Sequence, residues 1–271
     1  MLEFEVLARG LYRPEQLEIE YQAQQRLQFA PELQAALDSD WQNQLQQASQ
    51  QQRLLFDAPL YRLLSVPPAH TSDRLHLILG DTSYKEYVTT RTRAFADQHT
   101  RSELGNPLAV CSVVETCDHV ILLDQRQGVD VYVGRYHVIG GFFERDRDIT
   151  AQQPDPFRAI RREIREETGI QEQDIQEQYC LGLVYDLTMP HSELCFLTRL
   201  RIPLTEVQKR VAEDQEIKTL HTLSVTAKSL QQFILTHHGN ISATGEPNLL
   251  FYGAWKFGES WLADIMHKLD A

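Results

Sequence analysis

Asp155-Pro-Phe-Arg-Ala-Ile-Arg-Arg-Glu-Ile-Arg-Glu-Glu-Thr-Gly-Ile170 reads as a short helix whose two ends are both written in it. Asp155 is a natural N-cap, Pro156 suits the first helical position, and Gly169 takes the left-handed conformation that closes a helix. The predicted helix runs over 156–168. Phe157, Ile160 and Ile164 fall at i, i+3 and i+7 and form one apolar stripe. Glu163, Glu166 and Glu167 fall at i, i+3 and i+4 on an adjacent face.

Crowding like charges on neighbouring turns costs roughly a few tenths of a kcal/mol per pair, with no structural gain unless cations sit between them. Hard oxygen ligands in that number suit Mg²⁺, Mn²⁺ or Ca²⁺ better than zinc or copper. The alternative is a solvated acidic face offset by Arg158, Arg161, Arg162 and Arg165.

Working outward, the pattern is strand-like at 108–115 and 119–124 and is followed by the Gly140-Gly141 turn. Beyond the helix come strands near 179–188, 193–202 and 217–224, and helices at about 226–237 and 248–268. Toward the N-terminus, residues 14–53 are rich in glutamine, yet Leu33, Leu37, Trp41 and Leu45 recur every four residues and mark an amphipathic helix. Two strands at 59–66 and 74–79 form a hairpin-like pair around the loop 67–73. Ser83 caps a helix to about Gln98, and 101–106 is a linker. The order predicts an α+β architecture, with an N-terminal α+β extension over 1–106 and a principal domain over 107–271.

The chain has 271 residues, 42% hydrophobic and 24% charged, enough apolar material for a core. Asp plus Glu outnumber Lys plus Arg 38 to 26, a net charge of −12, which argues against a surface for the phosphate backbone of nucleic acid. The acidic N-terminus lacks the pattern of a signal peptide, and the apolar stretches are strand-sized, so a cytoplasmic protein without a membrane partner is expected. Cys111, Cys117, Cys180 and Cys195 make no CxxC pair and read as buried free thiols. His237-His238 reads as a helix C-terminus. The aromatic tail 249–269 is expected to pack on the body of the domain, with a homodimer as the other arrangement it allows.

The segment from Arg162 to Ile170 resembles the second half of the Nudix box, Arg-Glu-apolar-x-Glu-Glu-x-Gly-apolar, at every specified position. The first half, a Gly followed after five residues by Glu, departs from fixed spacing. Counting back places Asp148 at the Gly position and Pro154 at the Glu position. Gly141 is then the matching glycine, with an insertion in the loop 142–154, and Arg162 needs a partner other than the missing Glu, with Glu144 or Asp155 as candidates. The resemblance implies a Nudix fold, an α/β/α sandwich around a mixed β-sheet, that hydrolyses a nucleoside diphosphate linked to another group. By the same resemblance Glu163, Glu166, Glu167 and the carbonyl of Gly141 hold Mg²⁺, with Mn²⁺ as an alternative. The acidic loop Glu213-Asp-Gln-Glu216 supplies a further ligand or general base, Glu216 being the expected residue. A solvated loop carboxylate is the other reading of Glu216.

Outside the box, Leu55-Phe-Asp-Ala-Pro-Leu-Tyr-Arg-Leu63, Leu79-Gly-Asp-Thr-Ser-Tyr-Lys-Glu-Tyr87 and Val129-Asp-Val-Tyr-Val133 with His137-Val-Ile-Gly-Gly141 resemble the UDP-glucose and UDP-galactose hydrolase branch known from animals. The likeness runs over residues 50–225. It implies cleavage of a nucleoside diphosphate sugar to UMP and sugar 1-phosphate, with Phe56, Asp57, Arg62, Thr82, Ser83, Tyr84 and Lys85 as candidate substrate contacts. Hydrolysis of ADP-ribose or another nucleoside diphosphate derivative, and a non-catalytic ligand-sensing module, are the alternatives.

Overall fold

The computed structural model describes residues 1–51, 55–68, 73–127, 131–213 and 219–269. The chain opens with β1 (Phe4–Tyr12) and β2 (Leu17–Tyr21), then α1 (Pro31–Gln50), β3 (Pro59–Ser65), β4 (Leu75–Ser83), α2 (Tyr84–Thr90) and α3 (Arg93–Ala96). There follow β5 (Leu108–Glu115), β6 (Val120–Gln125), β7 (Tyr136–His137), β8 (Ile139–Phe142), β9 (Ile149–Thr150), β10 (Gln153–Pro154) and α4 (Pro156–Thr168). The remainder is β11 (Ile175–Asp186), β12 (His191–Leu200), α5 (Leu204–Val207), β13 (Leu220–Ser224), α6 (Ala227–His237), α7 (Gly245–Phe257) and α8 (Glu259–Leu269).

The principal sheet is mixed, in the order β1-β11-β12-β5-β6-β13, with β7 beside β6 and β8 beside β5. β12 and β5 run parallel and the other pairs antiparallel. β5, Leu-Ala-Val-Cys-Ser-Val-Val-Glu, is buried along its whole length, as a strand covered on both faces requires. On one face α4 presents Phe157, Ile160 and Ile164 to Leu108, Val110, Leu194 and Phe196. On the other, Leu230 and Ile234 of α6, Leu249 and Tyr252 of α7 and Ile265 of α8 cover Cys111, Val113, Cys195 and Leu197. Helices on both faces of a mixed sheet make the expected α/β/α layering.

The N-terminal segment is joined to this body. β1 forms an edge of the principal sheet against β11. The smaller sheet β2-β4-β3 puts Tyr61, Leu77 and Leu79 into the same apolar cluster as Phe143 and Phe157, with the Tyr61 and Phe143 rings 4.4 Å apart.

Several expectations need correction. The amphipathic helix marked by Leu33, Leu37, Trp41 and Leu45 is α1, while the earlier part of the glutamine-rich segment, Leu17–Tyr21, is instead a strand parallel to β4. The helix expected from Ser83 to Gln98 divides into α2 and α3, and the one expected over 248–268 breaks at Gly258, whose φ of 92° is left-handed. Cys117 is exposed, while the other three thiols are buried. The aromatic tail packs inward as expected: Trp261 donates from Nε1 to the Ala227 carbonyl at 2.9 Å and lies against Gly253, where a Cβ would meet its ring at 2.0 Å. Among the described residues no helix is long and apolar enough to cross a membrane.

Candidate active site

Asp155 caps α4, its carboxylate accepting from the Arg158 N–H at 3.0 Å. Gly169 closes the helix at φ 73°, where a Cβ would stand 2.4 Å from the Val211 carbonyl oxygen. With both ends fixed and the apolar stripe docked on the sheet, the acidic face is turned toward β8 and a cleft of about 640 Å³. Gly141, Glu163 and Glu166 line this cleft. Glu167 is buried beside it and accepts from the Gly140 N–H at 3.2 Å.

Gly141 lies so close to the helix that a Cβ would stand 2.4 Å from Oε1 of Glu163. Glycine here lets the strand approach the carboxylate, which brings the Gly141 backbone and the acidic face together. Two arginines bind the acids: Arg162 Nη1 donates to Glu163 at 2.7 Å and to Glu166 at 3.1 Å, and Arg147 pairs with Glu166. Among the described residues no three His, Cys, Asp or Glu side chains are gathered into a cage. The donor chemistry, three carboxylates on one helix face with a backbone approach kept open by Gly141, fits a hard divalent cation, which would take over the charge balance now given by Arg147.

The two-point partner of Arg162 is Asp148; of the two carboxylates expected, Glu144 makes only a long ion pair with it and Asp155 none among the described residues. Nε and Nη2 of Arg162 donate to Oδ1 and Oδ2 of Asp148, each at 2.8 Å, while Glu144 is 3.9 Å away and Asp155 is committed to the helix cap. Burial works to lower the Arg162 pKa, but Asp148 and Glu163 outweigh it and raise it. Asp148 is fully buried within the insertion, just before its second half folds as a small hairpin of β9 and β10 turning through Ala151 and Gln152. Both turn residues have positive φ, 49° and 65°, as in the mirror-image turn that suits hairpin twist.

The other end of the cleft was not foreseen. His137, His191 and Glu193 line it with Ser242 and Thr244. His191 is 3.4 Å from Glu193 through Nε2 and bonds the Met189 carbonyl through Nδ1 at 2.6 Å, and His137 bonds Ser242 Oγ at 2.5 Å. Burial pushes Glu193 upward, but hydrogen bonding to His191 and the charges of His137 and His191 hold it down, at about 2. Burial drives His137 down to about 3, and for His191 the Glu193 and Asp186 carboxylates overcome burial and raise it. These residues are scattered from β7 to the start of α7 and carry no local motif, so only the fold assembles them.

Of the flanking residues proposed for substrate, Phe56 lines the cleft and is 60% exposed. The others lie elsewhere. Asp57 accepts from the Lys85 N–H at 2.8 Å, Lys85 pairs with Asp38 at 2.5 Å, and Thr82 donates to Glu86 at 2.9 Å. Ser83 caps α2, Tyr84 packs edge-on to Trp41, Tyr87 and Phe142, and Arg62 binds the carbonyls of Ser102 and Leu104. Glu213, first residue of the acidic loop, lines the cleft and pairs with Arg165 at 2.9 Å, whereas Glu216 lies outside the described residues.

No protein-family model and no curated protein sequence matches this chain. Solved structures are similar at low identity. A bifunctional NMN adenylyltransferase/ADP ribose pyrophosphatase from Francisella tularensis, complexed with AMP and manganese, is 15% identical with a TM-score of 0.39 over 56% of this chain and 42% of that one. A mutT/nudix family protein from Listeria innocua is 16% identical, TM-score 0.36, over 58% of this chain and 96% of that one. A C. elegans Ap4A hydrolase is 15% identical, TM-score 0.35, over 55% and 98%. The chain thus spans under half the length of the Francisella enzyme. At this level of similarity, function has to be read from the residues of the cleft.

Proposed function

We propose that the chain is a Nudix-type pyrophosphohydrolase that requires Mg²⁺, or Mn²⁺ in its place, and cleaves a nucleoside diphosphate sugar, UDP-glucose or UDP-galactose, to UMP and sugar 1-phosphate. The observation that carries this reading is the α4 face: Glu163, Glu166 and Glu167 beside the Gly140-Gly141 strand, at one end of a cleft large enough for a nucleotide sugar. A divalent ion held by these carboxylates and the Gly141 carbonyl would neutralise a diphosphate and acidify a water.

The chain's own residues do the rest. Arg162, fixed by Asp148, orients Glu163 and Glu166. Arg147, half exposed at the cleft, offers a guanidinium to the phosphate oxygens. Phe56 gives a ring face to the base or sugar, and the buried Glu193 accepts from hydroxyl groups of the neutral half. Glu216, on the loop that begins with Glu213 at the cleft, is the proposed general base or further ligand.

The test is a substrate panel with Mg²⁺, resolving products by phosphorus NMR. UMP and glucose 1-phosphate formed from UDP-glucose support the whole reading. Turnover of ADP-ribose alone keeps the chemistry and discards the UDP-sugar assignment. Silence on every diphosphate leaves the sensing module.

A further inference from the structure

Arg62 of β3 is 7% exposed, and the carboxylate whose charge it feels, Glu86, lies beyond ion-pair distance and is itself paired with Arg26. Its hydrogen bonds leave from Nη2, to the carbonyls of Ser102 at 2.5 Å and Leu104 at 3.1 Å, and its Nε is buried without an acceptor. A buried guanidinium is ordinarily matched by an anion, because desolvation is costly and carbonyl dipoles return only part of the loss.

Arg62 lines a second cavity, of about 590 Å³, that shares no lining residue with the cleft. Strand alternation separates the two: on β12, His191 and Glu193 face the cleft while Ser192 faces this cavity. Tyr185 lines it too, 3% exposed, with its hydroxyl buried and unpartnered. The Arg101 guanidinium lies over the Tyr185 ring, 3.9 Å from its centroid, and pairs at 2.5 Å with the half-exposed Glu5. Leu7, Leu63 and Val66 add an apolar wall.

We propose that this cavity binds a small organic anion, a phosphate or carboxylate head on a compact body, with Arg62 and the Tyr185 hydroxyl as buried donors and Arg101 at the mouth. The Arg62 Nε and the Tyr185 hydroxyl, both buried and without an acceptor among the described residues, belong to side chains that line one space, and the Arg101 guanidinium there pairs with a surface carboxylate, Glu5, that an incoming anion displaces. The size of the space suits an organic molecule, since a bare phosphate fills a small part of it. The site is independent of the chemistry proposed for the α4 cleft.

The experiment is calorimetric titration of the full chain, in EDTA, with phenyl phosphate and with benzoate. Saturable one-site binding of either is expected, and the tighter of the two identifies the head group. Tyr185→Phe and Arg101→Ala should each weaken it by about five-fold, the loss of roughly one hydrogen bond, while Arg147→Ala in the cleft leaves it unchanged. Arg62→Gln should abolish binding while keeping the wild-type circular dichroism spectrum. Should Arg62→Gln fail to fold, Tyr185→Phe and Arg101→Ala decide. Absence of saturable binding, undiminished affinity in both of these variants, or loss of binding in Arg147→Ala overturns the proposal.

Discussion

Arg162 and Asp148 meet in a two-point pair, Nε to Oδ1 and Nη2 to Oδ2, both at 2.8 Å, with Asp148 fully buried. Asp148 also accepts from the Glu144 N–H at 2.8 Å, so one carboxylate ties the insertion to α4. Removing its charge takes the two-point partner from a buried guanidinium and leaves it only its Nη1 contacts to Glu163 and Glu166 among the bonded carboxylates of the described residues. Asp148→Asn is therefore expected to destabilise the fold by about 3 kcal/mol, a typical cost for breaking a buried pair, and to lower turnover as Glu163 and Glu166 lose their orientation. Urea denaturation of wild type and variant, read beside kcat, checks this.

Gly141 is a contact residue for Glu163. A methyl group there would sit 2.4 Å from Oε1, and the flexible carboxylate end is what must move. Gly141→Ala should keep its folding midpoint while weakening Mn²⁺ binding by about ten-fold, the equivalent of roughly 1.4 kcal/mol. Titration followed by electron paramagnetic resonance reads this directly.

His137 sets an acid limit on stability. Its pKa is driven down to about 3 by burial, only partly opposed by Glu193, whereas in the unfolded chain it lies near 6.5. The unfolded state takes the proton first, so stability is full above pH 6.5 and is lost as pH falls toward 3, about 2 kcal/mol of it by pH 5. Glu193, held at about 2, adds a loss in the same direction below about pH 4.5. His191 is raised and acts oppositely, stabilising below pH 6.5 and ceasing to do so as pH rises through its folded pKa. Denaturation at pH 7 and pH 5 should show a flatter dependence in His137→Asn than in wild type.

Phe56 is an exposed aromatic ring at the cleft. If it holds the substrate's ring equally in the ground and transition states, Phe56→Ala raises KM several-fold with kcat little changed. A fall in kcat at constant KM would assign Phe56 to the reacting groups instead.

What the sequence revealed follows from how local each signal is. α4 was legible to the residue because its cap, its first-turn proline, its apolar stripe and its closing glycine all lie within the helix. β1 and β2 were missed because their identity comes from partners far along the chain, Cys180–Asp186 and Leu75–Leu79. The β9–β10 turn was invisible because Ala151-Gln152 is not a pair that favours positive φ. Motif spacing placed Asp148 at a glycine position, whereas the structure makes it the two-point partner of Arg162. His137, His191 and Glu193 needed the whole sheet and the start of α7 to bring them to one wall.

The most direct test of the account is Mg²⁺-dependent hydrolysis of UDP-glucose by wild type and Glu167→Gln. The amide can still accept from the Gly140 N–H that Glu167 now binds at 3.2 Å, so the fold should survive the change. Turnover is predicted to drop by orders of magnitude at an unchanged melting temperature. Near-normal turnover in a rigorously purified variant would contradict the assignment of the α4 carboxylates as the metal site.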